Sequence, residues 1–194
     1  MIEESIFDKR LLSLKSCAFL GYYFRKDLNA LVLSLNLGEG TPITTDMSNW
    51  NLETSGYTNI YKMWEKAKFN PTAIKWTNYY PDKDYDQDIT DDIAGYLRLG
   101  GVHRSWISRV DPGYYSPWHW DVDDNESTYL ENGPIKRYSV MLDAPAMGHI
   151  FILGDDYLYN CPQGSIFKWN DYNSWHAGVN AGLTPKYMLH ILGY

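Results

Sequence analysis

From Val102 onward the chain is written in short apolar runs with punctuation between them. "VHRSWISRV" (102–110), "KRYSVML" (136–142), "HIFIL" (149–153), "YLYN" (157–160), "SIFKW" (165–169) and "KYMLHIL" (186–192) are rich in β-branched and aromatic residues. "DPG", "DAPAMG", "GDD", "CPQG" and "NAGLTP" lie between them. Runs this short, bounded by Gly, Pro, Asn and Asp, predict strands joined by turns, and several at this spacing predict a sandwich or barrel. A jelly roll of about eight strands fits in the space available.

The first hundred residues read differently. In "TNIYKMWEKAKF", Ile60, Met63, Trp64 and Ala67 fall at the spacing of one helix face. "ITDDIAGYLRL" reads as a second helix, with Thr90 as its N-cap and Ile93 and Leu97 on one face. The acidic, turn-rich "YYPDKDYDQD" between them reads as a surface loop. The expectation is one mainly β domain over 1–194: a helical and irregular N-terminal elaboration (1–100), packed on one sheet of a β core (101–194) that carries the functional residues.

Charge narrows the partners. A net charge of −7 argues against a nucleic-acid surface. No run of apolar residues is long enough for a membrane helix, and the acidic N-terminus does not read as a secretory leader. Cys17 and Cys161 show no metal or disulfide spacing, so a reducing cytoplasmic setting is expected. The 17 tyrosines and 8 tryptophans supply rings suited to pocket walls.

The chemistry concentrates in "SPWHWDVDD". His119 and Asp121 are separated by one residue, so in an extended segment both side chains point the same way. A metal held by them needs a third donor from another strand. His176 opens a β run after the "CPQGSIFKW" hairpin and can supply it. Two imidazoles and one carboxylate on one face leave three positions open, which suits non-haem Fe(II). A lone His-x-Asp pair identifies nothing; the order of the parts carries the case. His149 and His190 read as packed core histidines, and Asp123, Asp124 and Glu126 as a solvated loop.

Three lines extend this: "SRVDPGYYSPWHWD", "KRYSVMLDAP" and "HAGVNAGLTPKYMLHILG". Over about 108–194 the chain resembles the 2-oxoglutarate/Fe(II)-dependent oxygenases built on a double-stranded β-helix, a cupin-like jelly roll. Within them it is most similar to the aspartyl/asparaginyl β-hydroxylase branch. Ser108, Pro112–Gly113 and His119 follow in that branch's order, Arg137 opens the next core strand, and Lys186 stands ten positions after His176. The branch often lacks a carboxylate at the position of Asp121, and this chain has lysine where arginine is usual.

The resemblance implies Fe(II) on His119, Asp121 and His176, with 2-oxoglutarate and O₂ as co-substrates and an amino acid, free or in a peptide, as substrate. It implies that Lys186 and Ser108 hold the far carboxylate of 2-oxoglutarate. Arg137 then serves the carboxylate next to the metal, or alternatively takes over the far carboxylate itself, with Ser139 on the same strand face. Trp118, Trp120, Tyr114, Tyr115 and Trp175 either wall the pocket or pack the barrel. Competing readings are a cupin-like metal-binding or isomerising protein without 2-oxoglutarate chemistry, a metal-free partner-binding jelly roll, and a nucleic-acid demethylase. The first needs a fourth protein ligand, the second needs His119 and His176 far apart, and the net charge opposes the third.

Overall fold

The computed structural model describes residues 13–25, 27–35, 39–44, 57–121, 129–130 and 133–194. Residues 1–12 and the acidic positions Asp123, Asp124 and Glu126 lie outside the described residues. In chain order the elements are β1 (Cys17–Tyr22), α1 (Leu28–Leu35), β2 (Thr41–Thr44), α2 (Tyr57–Lys66), β3 (Lys75–Tyr79) and α3 (Asp88–Tyr96). They continue with β4 (Val102–Val110), β5 (Tyr115–His119), β6 (Tyr129–Leu130), β7 (Gly133–Pro134), β8 (Lys136–Met141), β9 (His149–Leu153) and β10 (Asp156–Tyr159). The last three are β11 (Ser165–Trp169), β12 (His176–Asn180) and β13 (Lys186–Gly193).

Two antiparallel sheets face each other. The larger runs β1-β11-β8-β13-β4-β3-β2 and the smaller β10-β9-β12-β5. From β4 onward the chain alternates between them in the winding of a double-stranded β-helix: β4, β8, β11 and β13 in one sheet, β5, β9, β10 and β12 in the other. β6 and β7 form a separate two-stranded ribbon.

Alternation along β13 shows how the sequence makes this layer. Tyr187, Leu189 and Ile191 join Ile107, Tyr138, Val140 and Ile166 on the outer face of the large sheet, covered by Leu28 and Leu35 of α1 and Ile89 and Ile93 of α3. Met188 points the other way, into the space between the sheets, with Met141, Phe151, Leu153, Phe167 and Trp169. Every residue of β13 is buried, because this central strand is covered on both faces. Full burial of each Leu or Ile here stabilises the fold by roughly 1.5–3 kcal/mol.

The helices cover one sheet as expected, but the helical, irregular reading of residues 1–100 needs correction. Three strands come from there: β1 pairs with β11, and β3 and β2 extend the sheet beyond β4. They are too short, and too mixed in "KWTNY" and "TPIT", for alternation to stand out in the sequence. The N-cap reading of Thr90 also fails. α3 starts at Asp88, and Thr90 is buried inside it, within 3.3 Å of the Ser105 hydroxyl. A polar side chain with a buried partner has no need to cap. A parallel bridge from Ile74 to Tyr115 brings β3 against β5, closing one side of the interior. α2 sits there, its Ile60 and Trp64 packed on Ile74. Among the described residues, no helix is long and apolar enough to cross a membrane.

Candidate metal centre

His119 ends β5 and His176 begins β12, and the two are paired in register. Their ring centroids are 4.3 Å apart. Asp121 follows two residues beyond His119. One donor atom from each of the three lies within 4.8 Å of the others. Nε2 of His119 is 3.7 Å from Asp121 Oδ1, and Nε2 of His176 is 3.7 Å from Asp121 Oδ2. Donors at about 2.0–2.1 Å from one ion are separated by about 3 Å at right angles and about 4.2 Å across it. Both Nε2–carboxylate spacings fall between those limits.

The second nitrogen of each imidazole settles which face is presented. His119 Nδ1–H donates to the Pro117 carbonyl at 2.5 Å, and His176 Nδ1–H to the Ser174 carbonyl at 3.0 Å. Each carbonyl lies two residues before its histidine, so the local backbone fixes the ring. With Nδ1 carrying the hydrogen, the lone pair sits on Nε2 and faces Asp121. Burial pushes the pKa of both rings down, against the pull of Asp121, and His176 well below its ordinary value. Both are neutral imidazoles. Burial alone would raise the Asp121 pKa, but Arg137, followed by the two histidines, holds it below the carboxylate range.

Arg137 is 2% exposed, with Nη1 2.5 Å from Asp121 Oδ2. Its guanidinium lies 3.7 Å from the Trp169 ring centroid and 5.2 Å from that of Trp106. The Asp121 contact is close but poorly directed. Asp121 Oδ2 and Arg137 Nε are both buried without a well-formed hydrogen bond. Buried polar atoms left this way are uncommon. Two orphaned polar atoms beside two lone-pair nitrogens and a carboxylate fit a site completed by a cation and an anionic ligand.

Aromatic rings enclose the imidazoles. Trp76 stacks on His119 at 5.9 Å, Trp64 meets the same ring edge-on at 6.2 Å, and Trp169 meets His176 at 4.9 Å. Trp64 Nε1 donates to the Trp118 carbonyl, tying α2 to the β5 strand end. Trp175 stacks with Trp118 at 6.2 Å and abuts Trp120 at 4.4 Å, a half-exposed trio beside the cluster. Trp64 and Trp76 were missed in the sequence because they belong to its N-terminal half. Their signal was aromatic residues on the inward side of a helix and of a short strand.

The expected co-substrate residues line the same interior. Lys186 is 4% exposed, so it is no surface lysine. Its Nζ donates to the Ile150 carbonyl at 2.8 Å and lies 5.3 Å from the Phe151 ring centroid. Burial lowers its pKa to about 8, with Asp143 pulling the other way. Gly178, on β12 two residues after His176, leaves room here. A Cβ there would meet Lys186 Nζ only at 3.7 Å and the Ser116 Cβ at 4.0 Å. Ser108 pairs across from Met188 and so faces inward. Ser139 shares the Arg137 face but is fully buried. It accepts from Trp169 Nε1 at 2.9 Å and contacts His190 Nδ1 at 3.2 Å, so its hydroxyl holds the wall rather than a ligand. His149 and His190 lie outside the donor cluster.

Fold and site together define a jelly-roll protein with a His-x-Asp…His cluster at one end of its interior. No protein-family model matches the chain, and no curated protein does. Solved structures with a similar fold include a viral collagen prolyl hydroxylase from Paramecium Bursaria Chlorella virus-1 in a 2-oxoglutarate complex. It has a TM-score of 0.43 and 16% identity, over 70% of this chain and 87% of that one. A prolyl-4-hydroxylase from Pseudomonas putida scores 0.43 at 13% identity, over 86% and 98% of the two chains. A predicted oxalate decarboxylase from Thermotoga maritima scores 0.36 at 10% identity, over 61% and 80%. None of these three is an aspartyl/asparaginyl β-hydroxylase. At these scores and identities the likeness assigns no residue and no substrate.

Proposed function

We propose that the chain is an Fe(II)- and 2-oxoglutarate-dependent oxygenase that hydroxylates an amino acid, free or within a peptide. The observation that carries this is the donor set: two neutral imidazoles with Nδ1 tied back to backbone carbonyls, and one carboxylate between their Nε2 atoms. When bound, iron with 2-oxoglutarate and O₂ supplies the oxidising chemistry and leaves succinate and CO₂. His119, Asp121 and His176 hold the metal and leave positions open for other ligands. Lys186 supplies a buried positive charge for the far carboxylate, with two of its three hydrogens unused by Ile150. Arg137 orients Asp121 and is the nearest cation for the carboxylate beside the metal. Trp64, Trp76 and Trp169 exclude water around the imidazoles.

The amino-acid substrate and the aspartyl/asparaginyl branch rest on Ser108, Pro112–Gly113, Arg137 and Lys186 in their order along the chain. Residues 1–100 act as an elaboration that walls the 101–194 core, within a single domain. Cys17 and Cys161 are both buried thiols, and the setting proposed for the chain is a reducing cytoplasm. The cupin-like alternative wants a fourth protein donor. Among the described residues the cluster has three.

The test is succinate release with Fe(II), 2-oxoglutarate and ascorbate across a panel of amino acids and peptides. Turnover should require all three additions. A protein that binds neither Fe(II) nor 2-oxoglutarate is not this oxygenase.

A further inference from the structure

We propose that the outer face of the smaller sheet is a docking surface for a second copy of this chain, which forms a symmetric dimer by packing sheet on sheet. This is independent of the chemistry at the metal centre. Alternation along the strands exposes the face. On β9 and β10 the inward residues Phe151, Leu153 and Leu158 join the apolar layer between the sheets. Their neighbours therefore point outward. Tyr159, Ile150, Val179 and Tyr115 stand side by side in one rank across all four strands. Tyr157, Ile152 and Ala177 form the next rank. Trp118 and Trp175, stacked at 6.2 Å, continue it at the β5 edge. Phe69 packs on Tyr115 at 5.8 Å and extends the first rank. No outward position on these four strands carries a charge. An antiparallel sheet with one solvated face ordinarily turns polar residues outward.

The larger sheet also has an apolar outer face, and there α1 and α3 cover it. α2 packs on Ile74 instead. Among the described residues no helix lies on the smaller sheet, and Ile150, Ile152 and Val179 join no core cluster. Tyr157 is 64% exposed and Tyr159 47%. The rest of the face is half-buried, apart from the buried Ala177. With aromatic side chains of about 150–250 Å² each roughly half exposed, and aliphatic ones between them, the face offers about 600 Å² per copy. Two copies then bury about 1,200 Å², enough for a specific interface but at its small end. The character of the face selects the occupant. It holds no Lys or Arg to draw a phosphate or an anionic membrane, and the net charge of −7 opposes both. A second copy brings a face of the same twist and the same lack of charge, and two twisted sheets pack face to face at about 30°. Two chains of like charge then meet where neither is charged.

The experiment is sedimentation velocity of the purified protein from about 1 to 100 µM, the range in which a weak dimer forms and dissociates. The unaltered protein should pass from monomer to dimer with a micromolar Kd, as a face of this size allows. Ile152→Glu and Ile152→Lys, at the middle of the face, should each weaken the dimer by more than about a hundredfold, because like charges are pressed together across it. Mixing the two variants should bring the dimer back, which also shows that both are folded. Tyr157→Glu, at an exposed position on the β10 edge that tolerates a charge in the monomer, should weaken the dimer about tenfold. The proposal is overturned if the unaltered protein stays monomeric throughout. Flotation of that monomer with neutral phosphatidylcholine vesicles would then assign the face to a membrane. It is also overturned if the protein is a dimer that Ile152→Glu and Tyr157→Glu leave intact, since the interface then lies elsewhere.

Discussion

Two clusters of the same residue types lie at opposite ends of β12. At its start are His119, His176, Asp121 and the cation Arg137; at its end, where Asn180 pairs with His149, are His149, Asp143 and the cation Lys186. A histidine touches an aspartate in both, yet they differ in what is left over. His149 uses both ring nitrogens within the protein, Nδ1 on Asp143 at 2.5 Å and Nε2 on the Thr184 carbonyl at 2.8 Å. Asp143 is likewise occupied, since its other oxygen accepts from the Tyr187 backbone N–H at 2.9 Å. At the other end the backbone takes Nδ1 of each imidazole, and Nε2 keeps its lone pair. A His–Asp contact is thus structural or ligand-bearing according to which nitrogen the backbone claims.

The largest expected effect breaks that contrast outright. Asp121→Ala or His176→Ala should lower Fe(II) affinity by more than about a hundredfold, because losing even a hydrogen bond behind a ligand costs 10–100-fold. The fold should survive, since the cluster lies at strand ends rather than in the apolar layer. His149→Ala should leave Fe(II) affinity where it was. Competition with a chelator under anaerobic conditions reads all three. Equal loss in His149→Ala would mean that the two ends are one site.

Next in size is the division of labour between the two cations. Lys186→Ala should weaken 2-oxoglutarate binding roughly ten- to a hundredfold, the value of a charge-assisted pair in a buried site. Arg137→Ala should spare that binding more and instead disturb Asp121, raising the fraction of 2-oxoglutarate consumed without substrate hydroxylation. If Arg137→Ala alone carries the large effect, the roles are reversed.

Much of this was legible in the sequence. Six of the eight core strands stood out as short β-branched and aromatic runs between turn residues, and the burial of β9, β11 and β13 follows that text. His119, Asp121 and His176 stood out by type and order. What stayed hidden depends on register between distant strands. Asn78 meets Ser108 only because β3 pairs with β4, and "KWTNY" carries no strong strand signature. Arg137 meets Asp121 across the barrel mouth, a contact that no local pattern encodes. Ser139 shared a face with Arg137 as alternation requires, but that its hydroxyl would be held by Trp169 could be read only from packing.

A pH effect sharpens the contrast at the lysine end. Burial holds Lys186 at about 8. Below that pH it is already charged, and 2-oxoglutarate binds without taking up a proton. Above it, binding must first protonate the amine, so affinity should fall roughly tenfold per pH unit. Lys186→Arg, which stays charged, should flatten the profile between pH 8 and 9.5. A flat profile in the unaltered protein would place the far carboxylate elsewhere.

The smallest effect belongs to His149 and concerns stability alone. Burial lowers its pKa, but the Asp143 hydrogen bond and the Thr184 carbonyl more than offset this, and the net shift is upward from 6.5. A raised pKa means that the folded state binds the proton more tightly than the unfolded chain. The contribution is therefore fully present below about pH 6.5 and is lost as pH rises through the folded value. His149→Gln keeps most of the volume and removes the titration. At pH 6 it should cost about 1.5–3 kcal/mol, the value of a hydrogen bond to a charged group. In a chain of this size that is a Tm drop of a few degrees, about 2–4 °C per kcal/mol. As pH rises through the folded value the gap should narrow, because the unaltered protein then loses the extra proton. A gap that is constant across this range would mean that His149 is neutral in the folded protein, and that Asp143 is satisfied by hydrogen bonding without charge.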